Sequence, residues 1–171
     1  QAADWPHWRG PAHNGISAEA ILTKWPSNGP KKVWDAQVGI GFSGIGVSGK
    51  HVITIGHEDG KDVVSALDAA TGKVLWRHSY AAELGDKYFE GGPTSTPTIH
   101  EGVVYILGRE GQLMALKLNN GKPLWTTNVA ETTGARIPDW GFSGSPVVSK
   151  DLLILNVGSH GTAVNRSTGK V

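Results

Sequence analysis

The side chains of this sequence best suited to chemistry are acids, histidines, arginines and aromatics gathered in polar stretches between short apolar runs. His57, Glu58 and Asp59 are adjacent, and in a turn such side chains can converge on one hard cation such as calcium. The plainer alternative is a solvated turn. Arg109 and Glu110 lie between Gly108 and Gly111, and His160 lies between Gly158 and Gly161. Two longer stretches, 79–94 and 128–143, carry Tyr80, Tyr88 and Phe89 in one, and Arg136, Asp139 and Trp140 in the other. Aromatic rings beside charges make a ligand or partner patch when they converge on one rim, and connections longer than about 12 residues are often functional. The competing reading packs the rings down onto the structure beneath and leaves the charges in water.

Other chemistries find less support. None of the seven His forms an i, i+4 pair or a His-Glu-x-x-His phrase, so no metal ligand is assigned. His51 and His100 read as surface residues at hairpin ends, and His7 and His13 flank Arg9 in a Trp-rich opening segment. The absence of Cys excludes disulfides, thiolate metal sites and thiol nucleophiles. Gly141-Phe142-Ser143-Gly144-Ser145 lacks the G-x-S-x-G spacing of a hydrolase elbow, and no catalytic residue is assigned.

These side chains must be positioned by a repeat. Ala66-Leu67-Asp68-Ala69-Ala70-Thr71-Gly72-Lys73-Val74-Leu75-Trp76 recurs as Ala115-Leu116-Lys117-Leu118-Asn119-Asn120-Gly121-Lys122-Pro123-Leu124-Trp125 and again from Ala163 to Val171. Gly72, Gly121 and Gly169 are 49 and 48 residues apart, and Lys32-Val33-Trp34 matches the tail of the phrase. Within a repeat, runs of β-branched, aromatic and aliphatic residues alternate with glycine turns. They predict strands at 45–47, 51–55, 62–67 and 74–78, at 96–99, 103–107, 113–118 and 124–127, and at 146–148, 152–156 and 162–165. Four antiparallel strands in every 40–50 residues predict an all-β fold, a β-propeller of which about three and a half blades are present. The expected divisions are a Trp-rich lead-in and partial blade at 1–38, a first blade at 39–78, a loop and second blade at 79–128, and a loop and incomplete third blade at 129–171. Trp34, Trp76 and Trp125 are expected to wedge between blades, with Gly72, Gly121 and Gly169 in the outer turns. Stacking on a ligand is the other use for such indoles.

The repeated phrase resembles the signature of the pyrroloquinoline quinone (PQQ) type propeller repeat, found in quinoprotein alcohol dehydrogenases and in non-enzymatic BamB-like proteins. The opening Asp4-Trp5-Pro6-His7-Trp8-Arg9-Gly10-Pro11-Ala12-His13-Asn14-Gly15-Ile16-Ser17 is similar to the start of secreted bacterial members, and the resemblance covers essentially the whole chain. It implies a periplasmic or secreted protein whose signal peptide has been removed, with Ala2-Ala3 the kind of small residues found near a processing site. It implies a ring of seven or eight blades, so this sequence reads as part of a longer chain, with a ring closed by several copies the lesser alternative. Of the two functions within the family, the resemblance with no mappable active site points to a non-catalytic scaffold binding a protein or other ligand through its loop face, without a cofactor. The alternative is a PQQ- and calcium-dependent dehydrogenase of alcohols or sugars, completed by further blades or partner chains. The adjacent-cysteine disulfide of many dehydrogenating relatives is impossible here.

Composition agrees with this class. Glycine at 24 of 171 residues and charged residues at 18% disfavour a helical bundle. A formal charge of +1 offers no basic stripe for nucleic acid, and no apolar run approaches the roughly 20 residues of a membrane span.

Overall fold

A computed structural model describes residues 3–21 and 23–171 of the chain. Gln1 and Ala2, part of the expected processed start, and Leu22 of the lead-in lie outside the described residues.

Three antiparallel sheets follow one another in chain order. The first contains β1 (Gly46–Ser48), β2 (His51–Glu58), β3 (Lys61–Asp68) and β4 (Val74–Ala81), hydrogen-bonded in that order. The second repeats the order with β5 (Thr98–His100), β6 (Val103–Leu107), β7 (Gln112–Lys117) and β8 (Pro123–Asn128). A short helix α1 (Val129–Thr133) leads to the third sheet, formed by β9 (Val147–Ser149), β10 (Leu152–Leu155) and β11 (Thr162–Asn165). β1 lies beside β5, and β5 beside β9, so the short first strands gather on one side and the sheets fan outwards from them. This is the propeller arrangement that the repeat predicts.

Alternation along the middle strands explains why the sheets stack. Val104 and Ile106 of β6 with Met114 and Leu116 of β7 face Ile53, Ile55, Val64 and Ala66 of the first sheet. Their neighbours Tyr105, Leu107, Leu113 and Ala115 face Leu153, Leu155 and Val164 of the third. Successive side chains of a strand point to opposite faces, so a sheet apolar at every position must be covered on both sides.

The indoles cross these interfaces at fixed points. Nε1 of Trp34, Trp76 and Trp125 donates to the carbonyls of Ala69, Leu118 and Arg166, at 3.0, 2.8 and 2.9 Å. Each ring lies over the turn glycine of the sheet it reaches: a Cβ at Gly72, Gly121 or Gly169 would fall 2.6, 2.4 or 2.7 Å from an indole carbon. Those glycines also have φ of 69, 67 and 73°, a backbone conformation that L side chains rarely adopt. A register shift between Ala66 and Leu67 leaves Leu75 as the extra residue of β4, and the same shift beside Leu124 recurs in β8. Such bulges turn the strand and re-aim the next side chain along it, here Trp76 and Trp125.

Several boundaries differ from the sequence expectation. β2 and β3 extend to enclose a turn of only Asp59 and Gly60, with φ of 49 and 74°. Asp-Gly suits a two-residue turn that needs two positive φ values, so the strands stay paired up to it. β4 runs on to Ala81, which places Tyr80 in a strand instead of a connection. The stretch expected to loop from 128 opens with α1, capped by the Asn128 side chain accepting from Ala130 N and Glu131 N. The lead-in forms no strand among the described residues, only a bridge from Trp5 to Val47.

Candidate functional site

The connections from β4 to β5 and from β8 to β9 emerge beside the β2–β3 and β6–β7 turns, and Arg109 ties them together. Its Nη1 donates to the Leu84 carbonyl at 2.8 Å, while Nε and Nη2 donate to the Trp140 carbonyl at 3.3 and 3.2 Å. One side chain thus grips both connections. Its guanidinium also lies over the Phe89 ring, 5.3 Å from the centroid.

Around this grip the aromatic residues converge. Phe89 meets Phe42 and Trp140 at centroid distances of 5.5 and 5.6 Å, and Trp140 meets Tyr88 at 5.0 Å. Phe42, Tyr88 and Trp140 remain half exposed, so the rings form a surface patch instead of sealing a core. Lys87 Nζ stands 4.9 Å from the Tyr88 ring centroid, adding a second cation at the rim. Replacing Arg109 with alanine is expected to free both connections: limited proteolysis should cut within 82–93 and 135–142 about tenfold faster, with the sheets still folded, because local opening falls by roughly the 1.4 kcal/mol of a lost charged hydrogen bond.

The acid and histidine candidates do not join this patch as one cluster. His57 is no solvated turn residue: it lies in β2 at 8% exposure, its Nδ1 3.0 Å from Asp62 Oδ1. The Tyr80 hydroxyl donates to the other oxygen of Asp62 at 3.2 Å. Burial raises the Asp62 carboxyl above its ordinary range, against the opposing pull of the His57 and Tyr80 hydrogen bonds. Burial and the neighbouring Asp62 likewise push the Tyr80 phenol up, keeping it a hydrogen-bond donor.

The calcium-like grouping of His57, Glu58 and Asp59 does not form. Glu58 accepts from Arg77 Nη2, and Asp59 occupies the hairpin turn. Glu110 accepts from Gln112 Nε2 at 2.9 Å. Arg136 pairs with Asp139 at 3.3 Å on an exposed surface, and Arg136 and His160 both line a 650 Å³ cavity between the third sheet and the connection before it.

Asp62 is the residue that the sequence reading passed over. Taking Asp59-Gly60 as a two-residue hairpin turn would have found it, since that turn sets His57 directly opposite Asp62.

Comparison with known proteins identifies the family. The family model described as outer membrane protein assembly factor BamB matches residues 25–171. The chain belongs to this PQQ-like repeat family. Tetrathionate hydrolase of Acidithiobacillus ferrooxidans is 33% identical over 110 residues, covering 64% of this chain and 21% of the relative. Outer membrane protein assembly factor BamB of Yersinia pestis is 27% identical over 136 residues, covering 72% of this chain and 32% of the relative. The quinohemoprotein alcohol dehydrogenase of Comamonas testosteroni superposes on 98% of this chain and 26% of its own, with a TM-score of 0.70 at 21% identity, which establishes the shared fold. The chain therefore spans between a fifth and a third of the length of these proteins. No helix among the described residues is long and apolar enough to cross a membrane.

Proposed function

We propose that this segment is the binding face of an exported, non-catalytic PQQ-like propeller, and that its connections engage a protein partner. The supporting observation is the patch of Phe42, Tyr88, Phe89 and Trp140, half exposed yet held in place by Arg109. Rigid aromatics on a clamped surface lose little conformational freedom on binding, which is why they dominate interface energetics. The role in the name of the Yersinia relative, assembly of outer membrane proteins, accords with such a partner and with export.

Fold alone does not separate this reading from a dehydrogenase. A PQQ- and calcium-dependent site needs several oxygen donors around one ion. Among the described residues no three His, Asp or Glu side chains are placed to hold a metal ion. Asp62, the one carboxylate buried among the described residues, spends its oxygens on His57 and Tyr80. The residues of this segment do not fit that group by themselves, and a calcium site would need donors from other blades.

The intact protein, supplied with PQQ, calcium, an artificial electron acceptor and ethanol or glucose, is expected to show no turnover. A photocrosslinking residue placed at Tyr88 is expected to capture a protein in the cell envelope, and the same residue at Lys150 on the opposite side of the sheets is not. Turnover that requires added PQQ would overturn the reading.

A further inference from the structure

The lead-in does not skirt the blades. Trp5 exchanges both backbone hydrogen bonds with Val47 of β1, at 2.9 and 2.8 Å, and Ile99 N of β5 donates to the Pro6 carbonyl at 2.7 Å. His7, Trp8, Arg9 and His13 then stand against Ser145, Pro146 and Val147 at the start of β9. Residues 5–9 therefore pass the free edges of the three first strands in turn, level with the middle of β1 and β5. They form a floor across the side on which those strands gather.

Between that floor and the loop face lies a cavity of 520 Å³, within the range of about 300–1,000 Å³ usual for small-molecule sites. Trp5, Trp8 and Arg9 make its floor, and Thr96, Ser143 and Ser145 line its wall just before β5 and β9. The hydroxyls are arranged to serve a ligand. Ser143 Oγ accepts from Thr94 Oγ1 at 3.0 Å and Ser145 Oγ accepts from the Thr96 amide at 2.9 Å, so each serine keeps its proton to donate and a lone pair to accept. Arg9 spends Nη2 on the Asn14 carbonyl at 3.2 Å and keeps its other donors. Trp8 and Phe42, at 54% and 56% exposure, also border the space.

This lining selects a chemistry. No carboxylate among the described residues lines the cavity. A carboxylate ligand would use Arg9 and the hydroxyl protons but would leave the hydroxyl lone pairs unmatched. An apolar ligand would leave all of them unmatched, at the cost of buried polar groups without partners. A ring polyol offers hydroxyls that both donate and accept, and an apolar C–H face to lie on an indole. We propose that this cavity binds a neutral saccharide, held on Trp8 and hydrogen-bonded by Arg9, Ser143 and Ser145. Thr96, Ser143 and Ser145 lie on the two connections that Arg109 grips, but saccharide titration and protein capture at Tyr88 read different events, so the two proposals fail separately.

The test is tryptophan fluorescence and isothermal titration of the intact protein with maltotriose, with cellotriose, and with benzene-1,3,5-tricarboxylate as an anionic probe. Saturable binding of at least one trisaccharide is expected, weakened about tenfold or more in Trp8→Ala and about threefold or more in Ser143→Ala, where roughly 1.4 kcal/mol corresponds to tenfold. Ser143 is exposed and its loss leaves the sheets intact, so this second variant reads the site even if Trp8→Ala disturbs the floor. Trp25→Ala, outside the cavity, is expected to bind as the parent does. The proposal is overturned if neither trisaccharide saturates at concentrations on the order of 10 mM, if both variants bind as the parent does, or if only the tricarboxylate binds.

Discussion

Replacing Trp76 with alanine is expected to destabilise the protein by about 3–5 kcal/mol, the usual range for removing a buried tryptophan, and to uncouple the first two blades. Trp76 is 8% exposed within the apolar cluster shared by the first and second sheets, and its Nε1–H is committed to Leu118 O across that interface. The alanine would lose the ring's contacts and leave that carbonyl without its donor. Blades in a repeat array contribute an intrinsic stability and an interface stability, so weakening one interface lowers cooperativity as well as total stability. Urea denaturation followed by near-ultraviolet circular dichroism should show an earlier and broader transition. Gly121→Ala attacks the same contact from the other side, because its Cβ would overlap the indole at 2.4 Å and its φ is 67°. The two substitutions should therefore be strongly non-additive, since each breaks one docked pair. Trp76→Ala costing less than about 1 kcal/mol, the level of an ordinary surface change, would contradict the interface role.

How far the fold can be read from the sequence depends on what each segment answers to. β6 and β11 fall at the expected residues because apolar β formers and glycine turns bound them on both sides. The ends of β2 and β3 were less legible. Glycine, acid and histidine at 56–61 suggested a polar loop, but Asp59-Gly60 needs only two residues to turn, and ladder pairing carried Glu58 and Lys61 into the strands. α1 was missed although Asn128, Glu131 and Gly134 mark its two ends, because five residues show too little periodicity to stand out. Within the site, the aromatic residues were legible as a group and their arrangement was not. Nothing local to Arg109 announces that carbonyls 25 residues before it and 31 after it meet at its guanidinium. The cavity above the lead-in was hidden for the same reason: Thr94 and Ser143 lie one repeat apart and touch only when the sheets stack.

Removing the buried acid should separate the role of its charge from the role of its hydrogen bonds. Asp62→Ala leaves the His57 ring and the Tyr80 hydroxyl without their shared acceptor, and is expected to cost about 2–4 kcal/mol. Asp62→Asn keeps the shape: Tyr80 can still donate to the amide oxygen, and His57, in its other tautomer, can accept from the amide nitrogen. At neutral pH the asparagine variant is expected to be close to the parent or more stable, because it no longer buries a charge. The sign of the pH dependence follows from the raised carboxyl. The folded state holds this proton more tightly than the unfolded chain, so the protonated acid adds stability below the unfolded value near 4. That contribution disappears as pH rises through the folded value. Asparagine has no such proton to lose. The stability of Asp62→Asn relative to the parent should accordingly increase between pH 4 and pH 7.5 in paired urea titrations, where groups common to both proteins cancel to about 0.5 kcal/mol. A relative stability that falls over the same interval would mean that the partners around Asp62, with Arg109 behind them, favour the carboxylate more than burial opposes it.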